Sequence, residues 1–196
     1  KEISGIHDHG STGAEASTAD GDILRAQKIV VAAGSWSGKL LKKTGYRLPM
    51  QDGKGYSMTL ERPSLKPSIP SILHEARVAI TPMGDDLRIS GTLEISGMDD
   101  QVNPHKVNSI LKAVPEYYPG MKIKDAGPVW FGYRPCTPDG MPYIGPLQSD
   151  SAVIMATGHA MMGLSLAPVT GRIVKDMLAG ISSGHALNKT EPSRFR

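Results

Sequence analysis

Two short apolar runs, Ile29-Val30-Val31-Ala32-Ala33 and Ala152-Val153-Ile154-Met155-Ala156, constrain this chain more than any other feature. Each is apolar along its whole length rather than alternating, which suits a strand buried on both faces. Each then runs through a glycine, Gly34 or Gly158, toward a helix. Ser35 is placed to cap a helix through Lys43 that Gly45 ends. The second helix is expected from about Leu164 to Leu178, stopped at Gly180. Strand, glycine and helix at both ends of the chain read as parts of one α/β layer.

The sequence between those runs obeys a different period. Residues Ala14–Thr18 and Ile23-Leu24, joined by Asp20-Gly21, read as a hairpin or meander. Gly55–Glu61 alternates and puts Tyr56, Met58 and Leu60 on one face. Arg62–Pro70 holds three prolines and is expected to be loop. Arg77–Thr81 and Leu87–Ile95 flank the turn signal Gly84-Asp85-Asp86. Asn103 and Pro104 open a helix with Val107, Ile110, Leu111 and Val114 on one side. Lys122–Arg134 returns to extended structure, and Pro135–Pro146 is loop around a short strand at Tyr143-Ile144. The fold class is therefore mixed, α+β, with an antiparallel sheet inserted between two pieces of an α/β domain. The expected segments are 1–47, 48–146, 147–182 and a polar, loosely held tail at 183–196.

Composition narrows the function. The 196 residues are 39% hydrophobic and 21% charged, enough for a packed core in one or two domains. A net charge of +3, with no basic run longer than Lys42-Lys43, argues against nucleic acid as a partner. A single cysteine, Cys136, allows neither an intrachain disulfide nor a cysteine-built metal site, so no metal is expected. The first residues are polar, without the apolar core of a signal peptide, and a cytoplasmic protein is expected. The chain opens with Lys rather than Met, which predicts a piece of a longer protein.

Three places carry chemistry. At Ala33-Gly34-Ser35-Trp36 the small residues would let a ligand come close to the backbone, and a following helix N-terminus favours negative charge. An ordinary strand-to-helix turn has the same sequence. Arg134 ends a strand among apolar and aromatic neighbours, where a guanidinium needs an anionic partner. Its planar fork suits a substrate carboxylate, and a structural ion pair is the competing reading. In Gly158-His159-Ala160-Met161-Met162-Gly163-Leu164-Ser165, His159 lacks neighbours at metal-ligand spacing and reads as a loop residue whose backbone matters more than its ring. Cys136 reads as structural.

Taken in order, IVVAAGSWS, GKGYSMTL, RVAITPM, LRISGTLEISGMD, GYRPCTPDGMPYIG and ATGHAMMGLSLAPVTGRIVKDML resemble the D-amino-acid oxidase superfamily of flavoproteins. The closest branch is the bacterial D-amino-acid dehydrogenase type, small subunit, C-terminal half. The resemblance implies a split FAD-binding domain and a substrate-binding antiparallel sheet. Ala33, Gly34 and Trp36 would line the adenosine and pyrophosphate end of FAD. Gly158, His159, Gly163, Leu164 and Ser165 would present backbone N–H groups to the flavin ring. Arg134 matches the family's carboxylate-binding arginine, and Tyr56 lies in the strand expected to face the substrate. The implied reaction passes a hydride from a D-amino acid to flavin, giving a 2-oxo acid and ammonia, with electrons leaving to a respiratory acceptor. Peripheral association with the inner membrane fits that acceptor.

Two departures shape these expectations. No G-x-G-x-x-G loop is present: after Gly53 and Gly55 comes Met58. The family carries that loop in the N-terminal half, so the chain alone is expected to hold FAD weakly and to be inactive. Relatives that oxidise sarcosine attach flavin to a cysteine where this chain has Gly132, so non-covalent FAD is expected. A glycine- or sarcosine-type oxidase, and a non-catalytic binding module, remain as alternatives.

Overall fold

The computed structural model describes residues 1–123, 126–181 and 187–195. The chain divides into two compact units, one formed by residues 1–52 and 134–196, the other by residues 53–133.

The outer unit begins with an antiparallel meander of β1 (Ile3–Asp8), β2 (Ala14–Thr18) and β3 (Ile23–Ala26), in that order. Asp8 stands opposite Ala14, and Ala14 opposite Ala26. Alternation along β2 buries Ala14, Ala16 and Thr18. The next strand, β4 (Ile29–Val31), is shorter than the apolar run predicts. It lies at one margin of its sheet, so Val30 is 40% exposed while Val31 is buried.

After β4 the expected single helix is broken into a 3-10 turn at Gly34–Trp36, a four-residue α1 (Ser37–Leu40) and a 3-10 turn at Leu41–Thr44. Gly45 closes it in the left-handed region at φ 72°. Ser35 does not cap. The hydroxyl that matters is that of the fully buried Ser37, which donates to Thr157 Oγ1 at 3.1 Å.

The middle unit is a five-stranded sheet with one helix, antiparallel along β6, β7, β8 and β5. Its strands are β5 (Gln51–Leu60), β6 (Ser71–Leu73), β7 (Val78–Met83), β8 (Asp86–Glu94) and, after α2 (Pro104–Tyr117), β9 (Trp130–Cys136). The order is β6-β7-β8-β5-β9. Ile80, Ile89 and Met58 form one row across β7, β8 and β5, all essentially inaccessible. Val107, Ile110 and Val114 of α2 join them in one apolar core. Asn103 caps α2, its side chain accepting from the backbone N–H groups of His105 and Lys106. Of the segment Lys122–Arg134 only Trp130 onward is strand, and residues 124 and 125 lie outside the described residues.

A polar network binds this sheet to the segment before α2. The buried Lys54 Nζ donates to Asp99 Oδ1 and to the Gln101 carbonyl, both at 2.8 Å. Burial opposes its charge, but the Asp99 hydrogen bond, with the Tyr56 oxygen, holds its pKa above the ordinary value. Tyr56 OH donates to Glu94 Oε2 at 2.7 Å and accepts from the Asn103 N–H at 3.2 Å. Tyr133 OH donates to the Asp99 carbonyl.

The chain then re-enters the outer unit through β10 (Tyr143–Pro146), β11 (Val153–Thr157) and α3 (Gly163–Leu178). β11 pairs antiparallel with β10 and parallel with β4. The compact middle unit is therefore narrower than the segment 48–146, because Tyr143–Pro146 pairs with β11 instead of with the five-stranded sheet. One face of β10-β11-β4 covers Leu41, Tyr46, Leu48 and Tyr143, and the other receives Ile173 and Val174 of α3. β11 is thus buried on both faces, as its composition predicts.

The tail is docked through its described part, while residues 183–186 and 196 lie outside the described residues. The Ile144 N–H donates to the Thr190 carbonyl at 2.9 Å, along the free margin of β10. Arg194 grips Asp139 with both arms of its fork, Nε to Oδ2 at 2.8 Å and Nη2 to Oδ1 at 2.9 Å. Its guanidinium lies over the Tyr143 ring, 4.1 Å from the centroid. A bidentate pair in contact with an aromatic face is enough to hold a polar segment that reads as loose.

Two measurements test this packing. Ile89→Ala empties the centre of the three-strand row and should cost about 2–5 kcal/mol in denaturant unfolding, without changing the sheet. Arg194 hydrogen bonds hold the Asp139 carboxyl well below its ordinary value of 3.8. A depressed carboxyl stabilises the fold above its unfolded pKa and loses that contribution as pH falls through the folded value. The thermal midpoint of the native protein should therefore exceed that of Asp139→Asn at neutral pH, and the gap should start to narrow as pH falls below about 4 and go on narrowing at lower pH.

Candidate functional site

The parallel pairing of β4 and β11 sets two glycine turns side by side at the carboxyl ends of their strands. That is where open α/β sheets bind ligands. Thr157, the last residue of β11, ties the turns together: its buried hydroxyl donates to the Gly34 carbonyl at 3.2 Å and accepts from Ser37 at 3.1 Å. Gly34 adopts φ 53°, and the space where a side chain would begin is open. Ala33 is half-buried beside it and Trp36 is exposed on the surface of the same turn.

The second turn is tighter. Gly158 has φ 81°, and a Cβ there would stand 2.7 Å from the Thr137 methyl group. Ala160 is also left-handed, at φ 47°, unusual for a residue with a side chain. Its N–H donates to the Pro135 carbonyl at 3.1 Å, and the Met162 N–H returns to His159 O at 2.9 Å. The turn therefore rests on Pro135, one residue beyond Arg134 and in the same unit.

From that turn α3 runs for 16 residues. Its first turn stands clear of the sheet: Leu164 is 92% exposed and Ser165 is exposed, whereas Ile173 and Val174 further along are buried. The leading N–H groups of a helix this long carry partial positive charge and no intrahelical partner. Two clefts flank them. One, about 340 Å³, is lined by Val30, Ala32, Ala156 and the small residues Gly163, Ala167 and Gly171. The other, about 430 Å³, is lined by Met141, Pro142, Met161, Met162, Leu166 and Val169. His159 borders both. Its Nε2 is 3.0 Å from Thr170 Oγ1, and burial lowers its pKa, so the ring is neutral at physiological pH and braces the turn.

Arg134 is half-buried near the end of β9. Burial lowers its pKa from the ordinary 12.5, opposed by the Cys136 thiol two residues on. A guanidinium stays charged under such a shift. Cys136 Sγ donates to the Arg134 carbonyl at 3.4 Å. Among the described residues, no three His, Cys, Asp or Glu side chains gather in a metal-binding group.

Tyr56 differs from the expectation of a pocket residue. Its side chain is 1% exposed inside the core of the middle unit, and its hydroxyl is engaged by Glu94 and Asn103. The alternation of β5 placed it on the correct face, but that face is the one α2 covers. Thr157 thus ties the Gly34 turn to the end of β11, the Pro135 carbonyl next to Arg134 holds Ala160, and Tyr56 is buried in the core of the middle unit. Sequence reasoning missed Thr157, Ser37 and Thr137, although a threonine closing an otherwise apolar strand was a visible signal.

Known proteins resemble this chain in sequence and in fold. The family described as FAD dependent oxidoreductase matches residues 1–177. A D-amino acid dehydrogenase of Methylobacterium radiotolerans is 33% identical over 180 residues, which is 91% of this chain and 43% of that protein. One from Xylella fastidiosa is 36% identical over 81% of this chain and 37% of its own length. The chain therefore spans about two-fifths of the length of the curated relatives it matches. Among solved structures, glycine oxidase from Geobacillus kaustophilus superimposes with a TM-score of 0.85 at 25% identity, over 98% of this chain and 52% of that one. Iminodiacetate oxidase from Chelativorans sp. BNC1 gives 0.84 at 21% identity, covering 95% and 52%, and supports the fold alone. With its paired glycine turns, exposed helix N-terminus and inserted antiparallel sheet, the chain belongs to the FAD dependent oxidoreductase family, often abbreviated DAO.

Proposed function

We propose that the intact protein containing this chain is a D-amino-acid dehydrogenase that holds FAD non-covalently and oxidises D-amino acids to 2-oxo acids and ammonia. The observation that carries the reading is the hydrogen bond from Ala160 N–H to the Pro135 carbonyl. It fixes the turn expected to face the flavin against the strand end that bears Arg134.

The residues present fit the cofactor. The open space at Gly34 and the small-residue wall of Gly163, Ala167 and Gly171 leave room for a flat or elongated group against the backbone. When bound, FAD supplies the hydride acceptor. The chain's own part is placement and electrostatics. Ala33, Gly34 and Trp36 hold the adenosine and pyrophosphate end. The N–H groups of Gly163, Leu164 and Ser165 at the α3 N-terminus favour negative charge on the flavin's pyrimidine side. Arg134 takes the substrate carboxylate on its two-pronged fork and turns the α-carbon hydrogen toward the flavin. His159, neutral and braced by Thr170, keeps the turn in shape rather than moving a proton.

The same reading supplies the partners. β4 ends its sheet among the described residues, and an N-terminal half bearing the dinucleotide loop would pair along that margin. Electrons would leave to an acceptor of the respiratory chain, with the enzyme in the cytoplasm at the inner membrane. Relatives named D-amino acid dehydrogenase, at 33–36% identity, favour this substrate class. The superposition on glycine oxidase favours a second reading, a glycine- or sarcosine-type oxidase.

Dye reduction separates these readings. The intact protein should be yellow and reduce a dye with D-alanine but not L-alanine. Peroxide release with glycine or sarcosine, and indifference to D-alanine, would establish the second reading instead. An intact protein that never binds flavin would leave a binding module. Arg134→Lys swaps the fork for a point charge and should raise KM for the amino acid by about tenfold or more, with bound FAD unchanged. Gly158→Ala adds about 1–2 kcal/mol of left-handed strain and a clash with Thr137, and should lower flavin occupancy as well as the thermal midpoint.

A further inference from the structure

We propose that Arg194, in the C-terminal segment, is a positioning residue for the cofactor-facing turn at Gly158–Met162. It acts by clamping the loop Thr137–Pro142 on which that turn leans. The cofactor role of the turn rests on the function proposed above, whereas the mechanical coupling does not.

Arg194 is built into its surroundings. Besides the paired bonds to Asp139, its Nη2 donates to the Met141 carbonyl at 2.6 Å and its Nη1 to the Glu191 carbonyl at 3.1 Å. The guanidinium lies 4.1 Å from the Tyr143 centroid and 4.7 Å from that of Phe195, and the side chain is only 10% exposed. Surface ion pairs of one or two contacts contribute little, but a bidentate, ring-covered guanidinium that also takes two carbonyls is held in one geometry. Glu191 belongs to the segment that carries Arg194 itself, and Asp139 and Met141 belong to one loop. Inside that loop the Met141 N–H donates to Asp139 Oδ1 at 3.1 Å and the Gly140 N–H to the Thr137 carbonyl at 3.3 Å.

Force passes from that loop to the turn through packing. The Thr137 methyl group sits so close to Gly158 that no side chain fits between them. The same stretch offers the Pro135 carbonyl to Ala160, whose left-handed backbone needs an external hold. Met141 and Pro142 then form one wall of the 430 Å³ cleft, with Met161 and Met162 of the turn opposite. Releasing Arg194 frees the wall, then Thr137, then the direction of the N–H groups that open α3. The described part of the C-terminal segment thus sets the shape of a cleft whose described lining does not include it.

The test uses the intact protein with Arg194→Ala, Arg194→Lys and the exchanged pair Asp139→Arg with Arg194→Asp. Hydrogen exchange is followed at 135–142 and 158–163, and the Kd for FAD is measured by flavin fluorescence. Arg194→Ala should speed exchange in both segments together and weaken FAD by about tenfold or more. Arg194→Lys keeps the charge without the fork and should fall between, and the exchanged pair should recover part of the loss. A variant that loosens only residues 190–195, with the 158–163 rate and the FAD Kd within about twofold of the parent, overturns the proposal. If the parent binds no FAD, the functional reading fails. The exchange rates still decide the coupling: joint loosening of the two segments supports it, and an unchanged 158–163 rate refutes it.

Discussion

The hydroxyl of Thr157 organises the outer unit. It is buried at the end of β11, donates to the Gly34 carbonyl and accepts from Ser37. A buried hydroxyl left without partners would cost more than the bonds return, so the three groups hold one another in place. The consequence is geometric. Two loops far apart in sequence leave their strands at the same level, and the open backbone of Gly34 lies beside the segment leading to α3. Everything said of a ligand at this place presupposes that alignment.

The middle unit obeys a different constraint, the burial of an ammonium group. Lys54 satisfies its charge on Asp99 and the Gln101 carbonyl rather than in water. Removing one partner from such an arrangement costs more than never having built it. The segment between β8 and α2 is therefore fastened to the sheet by polar bonds, while the apolar core lies on the side covered by α2. The core supplies cohesion, and the buried charge chooses among the ways that segment could lie.

Much of this was legible in the chain itself because it depends on near neighbours. The strand-glycine-helix passages at Gly34 and Gly158, the hairpin turn at Gly84 and the Asn103-Pro104 helix start are all local signals. Arg134 was visible as a charge among apolar neighbours. What escaped depends on distant partners. Arg194 meets Asp139 across 55 positions, and nothing near residue 194 announces it. Lys54 finds its carboxylate, Asp99, 45 positions along the chain. Tyr56 sat on the right face of its strand, but only the placement of α2 reveals that the face is sealed. Val30 looked doubly buried because composition cannot say which strand ends a sheet.

Tyr56 has a second effect, on strand pairing. Its hydroxyl receives the Asn103 N–H, while the Asn103 side chain receives those of His105 and Lys106. One phenol thus joins the alignment of a strand to the starting point of a helix. Sliding β5 by a single position would carry Tyr56 and Lys54 to the opposite surface and put Gly55 and Ser57 in their stead. The helix would lose its support at the same moment that the ammonium lost its carboxylate. Misaligned sheets are thereby penalised twice through polar partners, in addition to the loss of apolar packing, and the chain proofreads its own pairing.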